Sequence, residues 1–243
     1  MSIIIEPIPF YETNYAWLVV GKTNKAIVID PGDANPIMKT LNEKKLLLQV
    51  ILITHFHNDH IGGVRTLKNT FGCQVIGPLK EADKIGVLDV KVGDKDLLDF
   101  DGLGLGQAEV ICTPGHTLGS ICYYLPKFRM LFTGDTVFSL GCGRLFEGTY
   151  LQMFNSLQKL ASYPDDTNIY CAHEYTLDNG RFAETLPTRN DLLKERMAEV
   201  IYERQNNRPT LPISLSVEKQ TNPFLMAKTL ELFTALRKAK DHF

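Results

Sequence analysis

The segment Thr54-His55-Phe56-His57-Asn58-Asp59-His60 packs three imidazoles and a carboxylate into a span short enough for one loop. Such side chains bind divalent transition metals. In extended backbone, residues two apart point the same way. His55, His57 and Asp59 are therefore expected to converge on one side, while His60, opening the next helix, reaches a second position nearby. Three more ligand-type residues each follow a short apolar run. His116 comes after Val110-Ile111-Cys112-Thr113-Pro114-Gly115, Asp135 after Met130-Leu131-Phe132-Thr133-Gly134, and His173 after Ile169-Tyr170-Cys171-Ala172. Loops held by a rigid sheet are where sites are commonly built. Any one of these histidines alone reads as a core or surface residue with a satisfied hydrogen bond; five of the chain's six in one such set do not. Seven ligands are too many for one tetrahedral ion that must keep a position open for water or substrate. Two divalent ions follow, zinc first, with iron or manganese also suited to imidazole and carboxylate.

The elements that must position these residues are legible as short apolar, β-branched runs at 3–5, 26–29, 50–53, 110–112, 121–125 and 130–132, which are strand signals. Helical patterns at 36–45, 60–70 and 150–162 lie between them. That alternation predicts a layered α/β architecture. After about residue 174 the β-branched runs stop, and helix formers dominate 191–205 and 227–240, with Pro209 and Pro212 between. The chain therefore divides into an expected catalytic domain, 1–173, and an all-α domain, 174–243.

Composition excludes several classes. Of 243 residues, 44% are hydrophobic and 22% charged, so the chain can bury a core without staples. A net charge of −2 offers no electrostatic footprint for nucleic acid and favours a small-molecule substrate. The cysteines, Cys73, Cys112, Cys122, Cys142 and Cys171, are odd in number and widely spaced, with no C-x-x-C pair, which favours a reducing compartment. No basic segment followed by an apolar run marks the N-terminus as a signal peptide. No window approaches the roughly 18 apolar residues of a membrane helix. A cytoplasmic monomer with no membrane partner is expected. Gly102-Leu103-Gly104-Leu105-Gly106 lacks dinucleotide-binding spacing and reads as a turn before a strand. No G-x-S-x-G elbow supports a serine hydrolase. Cys142 reads as packing and His242 as solvated.

The run T-H-x-H-x-D-H, then Thr113-Pro114-Gly115-His116-Thr117, Gly134-Asp135 and Ala172-His173, resembles the signature of the metallo-β-lactamase superfamily. The resemblance implies an αββα sandwich with the site at one edge. It assigns His55, His57 and His116 to one metal, Asp59, His60 and His173 to the other, and Asp135 to both.

Three further segments resemble glyoxalase II, the hydroxyacylglutathione hydrolase family: 141–149 with Arg144 and Phe146, 171–176 with Tyr175, and Asn222-Pro223-Phe224 followed by Arg237 and Lys240. By that resemblance Arg144, Phe146, Tyr175, Arg237 and Lys240 hold glutathione, whose two carboxylates suit a guanidinium fork and an ammonium. Many members have tyrosine where this chain has Phe146, so one hydroxyl contact is missing. The implied reaction is hydrolysis of S-(2-hydroxyacyl)glutathione, typically S-D-lactoylglutathione, to glutathione and D-lactate, the second step of methylglyoxal detoxification. The resemblance further implies that a metal-bridging hydroxide would be the nucleophile, oriented by Asp59 and Asp135. The rivals are a one-iron glutathione-persulfide dioxygenase on the same fold and a silent metal-binding module.

Overall fold

The computed structural model describes residues 3–187 and 189–243. Met1 and Ser2, the start of the stretch read for a signal peptide, lie outside the described residues, as does Thr188. The first sheet is formed by β1 (Ile4–Phe10), β2 (Asn14–Val20), β3 (Lys25–Ile29), β4 (Leu47–Leu52), β5 (Gln74–Pro78) and β6 (Val90–Val92), in that order. β1 to β3 are antiparallel and β3 to β6 parallel. The second sheet uses β7 (Leu97–Asp99), β8 (Gln107–Cys112), β9 (Ile121–Leu125) and β10 (Met130–Gly134). A small hairpin, β11 (Val137–Phe138) with β12 (Gly141–Cys142), leads out of it. The sheet is completed by β13 (Asn168–Cys171), parallel to β10, and by β14 (Ile213–Ser214) at its edge.

Alternation along β2 explains the layers. Tyr15, Trp17 and Val19 enter one cluster with residues of the second sheet such as Val110, Tyr123 and Leu131. Ala16, Leu18 and Val20 face the other way. There they meet α1 (Ala34–Lys44) and α3 (Val64–Phe71) through Ile37, Leu41, Val64 and Leu67. On the far side of the second sheet lies α5 (Tyr150–Ala161), which buries Met153, Leu157 and Leu160 and opens on a Thr149–Gln152 capping box. The arrangement is an αββα sandwich, and every residue of β2, β9 and β10 is buried.

The helix expected over 60–70 is two helices, α2 (Asn58–Ile61) and α3, broken at Gly62-Gly63. Only glycine fits at the junction: a Cβ on Gly62 would lie 2.5 Å from the Gly32 carbonyl, and one on Gly63 2.6 Å from that of Pro31. A single-turn helix, α4 (Ala82–Ile85), follows β5. Beyond residue 174 come α6 (Thr176–Glu184), α7 (Asp191–Gln205), α8 (Leu215–Thr221), α9 (Pro223–Met226) and α10 (Leu230–Asp241). This helical region is not a detached appendage. It supplies β14 to the second sheet and sends Phe224 and Phe233 into the main core. The glycine run at 102–106 is a short turn before β8, as expected, with Gly104 and Gly106 at positive φ.

The sheets are tied together at one end. Tyr15 N–H donates to Ala172 O at 2.7 Å, Glu174 N–H to Thr13 O at 2.8 Å, and Ile121 N–H to Thr54 O at 3.0 Å. The Trp17 indole donates to Cys171 O at 2.8 Å, and the Tyr123 hydroxyl to Ile53 O at 2.8 Å. These bonds fix the strand ends from which the ligand-type residues emerge, and a buried donor deprived of its acceptor costs about 1–3 kcal/mol.

Candidate metal centre

Each candidate ligand sits just past a strand end. His55 and His57 follow β4, His116 follows β8, Asp135 follows β10 and His173 follows β13. Asp59 and His60 lie on α2, whose N-cap is His57. This turn corrects the expectation that Asp59 would group with His55 and His57. The backbone is extended only as far as His57 (φ −62°, ψ 144°) and helical beyond, so Asp59 swings towards His60 and His173.

The result is two adjoining groups. In the first, the Nδ1 of His57 lies 3.0 Å from His55 Nε2 and 2.9 Å from His116 Nε2. In the second, Asp59 Oδ2 lies 3.6 Å from His60 Nε2 and 3.3 Å from His173 Nε2. Asp135 stands between them. Its Oδ1 is 3.4 Å from both His60 Nε2 and His173 Nε2, and its Oδ2 is 3.5 Å from His116 Nε2. His60 Nε2 and Asp135 Oδ1 are buried without a hydrogen-bond partner among the described residues. A divalent cation satisfies such converging orphan atoms, and imidazole with carboxylate is a donor set it accepts. The residues therefore fit metal.

Outer partners fix the rings. Of the five histidines, four use their other nitrogen outward: His55 Nδ1 on Thr54 Oγ1 at 3.0 Å, His60 Nδ1 on Asp30 Oδ2 at 3.0 Å, His116 Nδ1 on Arg144 O at 2.8 Å and His173 Nδ1 on Thr13 Oγ1 at 3.1 Å. An N–H donated outward leaves the opposite nitrogen free to bind a metal. Gly134, at φ +49°, lets β10 pass Thr54 closely; a Cβ there would lie 2.3 Å from Thr54 Oγ1.

Asp30 was missed in the sequence, although it follows β3 as the others follow their strands. Its Oδ1 accepts from Thr54 N–H at 2.8 Å, and its Oδ2 accepts from Thr54 Oγ1 at 2.7 Å and from His60. Asp30→Asn cannot accept on both sides, so metal affinity or kcat is expected to fall about 10–100-fold. Zinc titration with steady-state kinetics checks this, and wild-type values for both would contradict it.

Protonation follows the same division. Burial, then neighbouring imidazoles such as His60, hold His55 well below the ordinary histidine range. Burial likewise lowers His57 and His116. Burial acts in the same direction on His60 and His173, but carboxylates outweigh it: Asp135 and Asp30 raise His60 well above the usual range, and Asp135 lifts His173 to about 9. Burial would raise Asp135 and Asp59, yet the imidazoles hold both low. Protons on His60 and His173 thus compete with a cation for the same nitrogens, so metal uptake there releases protons.

Beside the centre lies a cavity of about 360 Å³ that reaches His116 and Asp135 and is lined by Arg144, Phe146, Tyr175, Arg237 and Lys240. The tyrosine ring stacks on His173 at 4.7 Å and 3°, and the Phe146 ring meets His57 and His116 edge-on at 5.3 and 5.2 Å. The cations differ in freedom. Arg237 is only 4% exposed; its guanidinium donates to Cys142 O at 2.9 Å and pairs with Asp241 at 3.0 Å. Arg144 is largely exposed, 3.4 Å from the same Asp241. Lys240 Nζ donates to Asp178 O at 3.1 Å, and burial, then Arg237, lowers its pKa. Cys142 is buried, and burial pushes its thiol up to about 11, which suits packing rather than reactivity. His242 is exposed.

Residues 12–173 match the metallo-beta-lactamase superfamily, and residues 174–243 match the hydroxyacylglutathione hydrolase C-terminus. A hydroxyacylglutathione hydrolase of Pelagibacter ubique is 43% identical over 98% of this chain and 99% of its own. Another, from Pseudomonas savastanoi pv. phaseolicola, is 47% identical over 92% of this chain and 86% of its own. Among solved structures, ETHE1 from Myxococcus xanthus superposes with a TM-score of 0.72 at 25% identity, covering 98% of this chain and 90% of that one. With its metal-type cluster, its αββα frame and these full-length relatives, the chain belongs to the hydroxyacylglutathione hydrolase family of the metallo-beta-lactamase superfamily.

Proposed function

We propose that the chain hydrolyses S-(2-hydroxyacyl)glutathione, with S-D-lactoylglutathione as type substrate, to glutathione and a 2-hydroxy acid, the second step of methylglyoxal detoxification. The observation that carries this is the single cavity joining Asp135 and His116 to Arg144, Tyr175 and Lys240. We assign His55, His57 and His116 to one divalent ion, Asp59, His60 and His173 to a second, and Asp135 to both, with zinc the first choice and iron or manganese alternatives. Such ions, when bound, acidify a shared water and polarise the substrate carbonyl.

The chain's own residues do the rest. The Asp59 and Asp135 carboxylates accept hydrogen bonds from the attacking water and fix its direction. Arg144 and Lys240 hold the glutathione carboxylates, Arg237 braces the cavity wall, and Tyr175 lies along the path to His173. Phe146 offers an apolar edge where a hydroxyl would add a hydrogen bond. A thiol of pKa about 8.5 leaves as thiolate without a strong acid, so a separate proton donor is not required. In this division residues 1–173 carry the metals and 174–243 complete the substrate site. One chain supplies every group, so a monomer suffices. Five free thiols suit a reducing compartment such as the cytoplasm. No helix among the described residues is long and apolar enough to cross a membrane.

The test compares S-D-lactoylglutathione with the lactoyl thioester of a small thiol that lacks carboxylates. Two charge-assisted contacts at about 1.5–3 kcal/mol each predict kcat/KM at least about 10²-fold higher for the glutathione thioester. Equal values would sink the substrate assignment.

A further inference from the structure

Glu81 lies at the end of a short turn, Leu79–Glu81, that follows β5, and it is only 2% exposed. No part of the proposed chemistry uses it, yet it touches both loops that carry the His55–His57–His116 group. Its Oε2 accepts from the N–H of Phe56, the residue between His55 and His57, at 2.8 Å. Its Oε1 accepts from Thr117 Oγ1, next to His116, at 2.5 Å and from Gly119 N–H at 2.9 Å. The loop after His116 passes so near that a Cβ on Gly119 would lie 2.5 Å from Glu81 Cγ.

The hydrogen-bond sense is fixed on every side. Phe56 and Gly119 present amide N–H groups. The Thr117 hydroxyl points its hydrogen at Glu81, while Ser120 Oγ, 2.5 Å away, accepts from Thr117 N–H and donates to Thr117 Oγ1. Three donors meet two oxygens. Only a group that accepts on both oxygens satisfies this arrangement, and glutamine, equal in shape, does not: its NH2 would face a donor on one loop or the other.

We propose that Glu81 is a positioning residue that sets the spacing of the two loops and thereby the first metal group, without touching the second. The proposal rests on the metal assignment given above. His55 and His57 come from one loop and His116 from another, so the distance between loops decides whether three nitrogens converge. The second group, Asp59, His60 and His173, has other anchors: Asp30 on His60, Asn14 on Asp59 at 2.9 Å and Thr13 on His173. Loss of an outer partner of this kind lowers metal affinity or activity about 10–100-fold.

The experiment titrates metal-free protein with zinc against a chromophoric chelator and measures kcat and KM, for the wild type, Glu81→Gln, Thr117→Val and Thr117→Ser. The wild type is expected to show two zinc ions per chain. In Glu81→Gln one affinity falls about 10–100-fold while the other stays within about twofold, and kcat falls while KM holds. Thr117→Val, which keeps its shape but loses one donor, shows the same one-sided loss in smaller degree. Thr117→Ser binds more tightly than Thr117→Val. A merely structural Glu81 would weaken both zinc sites together or neither, and either result overturns the proposal. If Glu81→Gln does not fold, the Thr117 pair decides on the same criterion. A wild type that binds fewer than two zinc ions defeats the metal assignment itself, and the proposal with it, whatever the variants do.

Discussion

Asp135→Asn is expected to lower kcat for the glutathione thioester by about 10³-fold, several kcal/mol at about 1.4 kcal/mol per tenfold. The side chain keeps its volume, so the effect isolates charge and acceptor geometry. Oδ2 faces His116 of one group, and Oδ1 faces His60 and His173 of the other. Whichever way the amide turns, an NH2 confronts one group where an oxygen is needed. The loss of charge also removes the strongest influence raising His60 and His173. Zinc per chain should drop below two alongside the rate, with the circular dichroism spectrum retained. Activity within tenfold of wild type at full zinc content would show that Asp135 does not join the two groups.

Removing the accessible cations should separate binding from chemistry. Arg144→Ala combined with Lys240→Ala is expected to raise KM about 10²-fold while leaving zinc content unchanged. Two charged contacts at about 1.5–3 kcal/mol each would give more, but Arg144 is largely exposed and already pairs with Asp241, so the lower end applies. Arg237 is the wrong residue for this test. Its guanidinium anchors α10 to Cys142 O and pairs with Asp241 one turn along the same helix, and its loss would confuse folding with binding. A double variant that loses zinc, or that loses kcat at constant KM, would show these side chains to have another role.

How far the sequence alone could reach depended on local signals. The seven ligand-type residues were visible because each follows an apolar run, and their convergence is what a sheet with aligned strand ends produces. α7 has the expected bounds, 191–205, and α5 ends one residue short of the expected 162; both open on a capping residue, Asn190 and Thr149. Other elements depend on distant partners. α6 contains Gly180, unfavourable within a helix, because a Cβ there would lie 1.9 Å from Met197 Sδ of α7. β5 contains glycine and proline, and β2 mixes Asn14, Tyr15 and Trp17 with aliphatics, so neither reads as a simple strand. Asp30 and Glu81 were silent for a different reason. Asp30 does follow the apolar run 26–29, but a carboxylate standing alone is not marked as the support of a ligand, and the importance of both residues appears only when residues 24 to 38 positions away donate to them.

Zinc titration of the metal-free chain while following hydrolysis of S-D-lactoylglutathione shows whether two metal ions drive the reaction. Activity is predicted to be absent without metal, to rise with added zinc and to level off at two ions per chain. A plateau at one ion, or no turnover at any loading with zinc, iron or manganese, would show that the chain is not a two-metal thioester hydrolase.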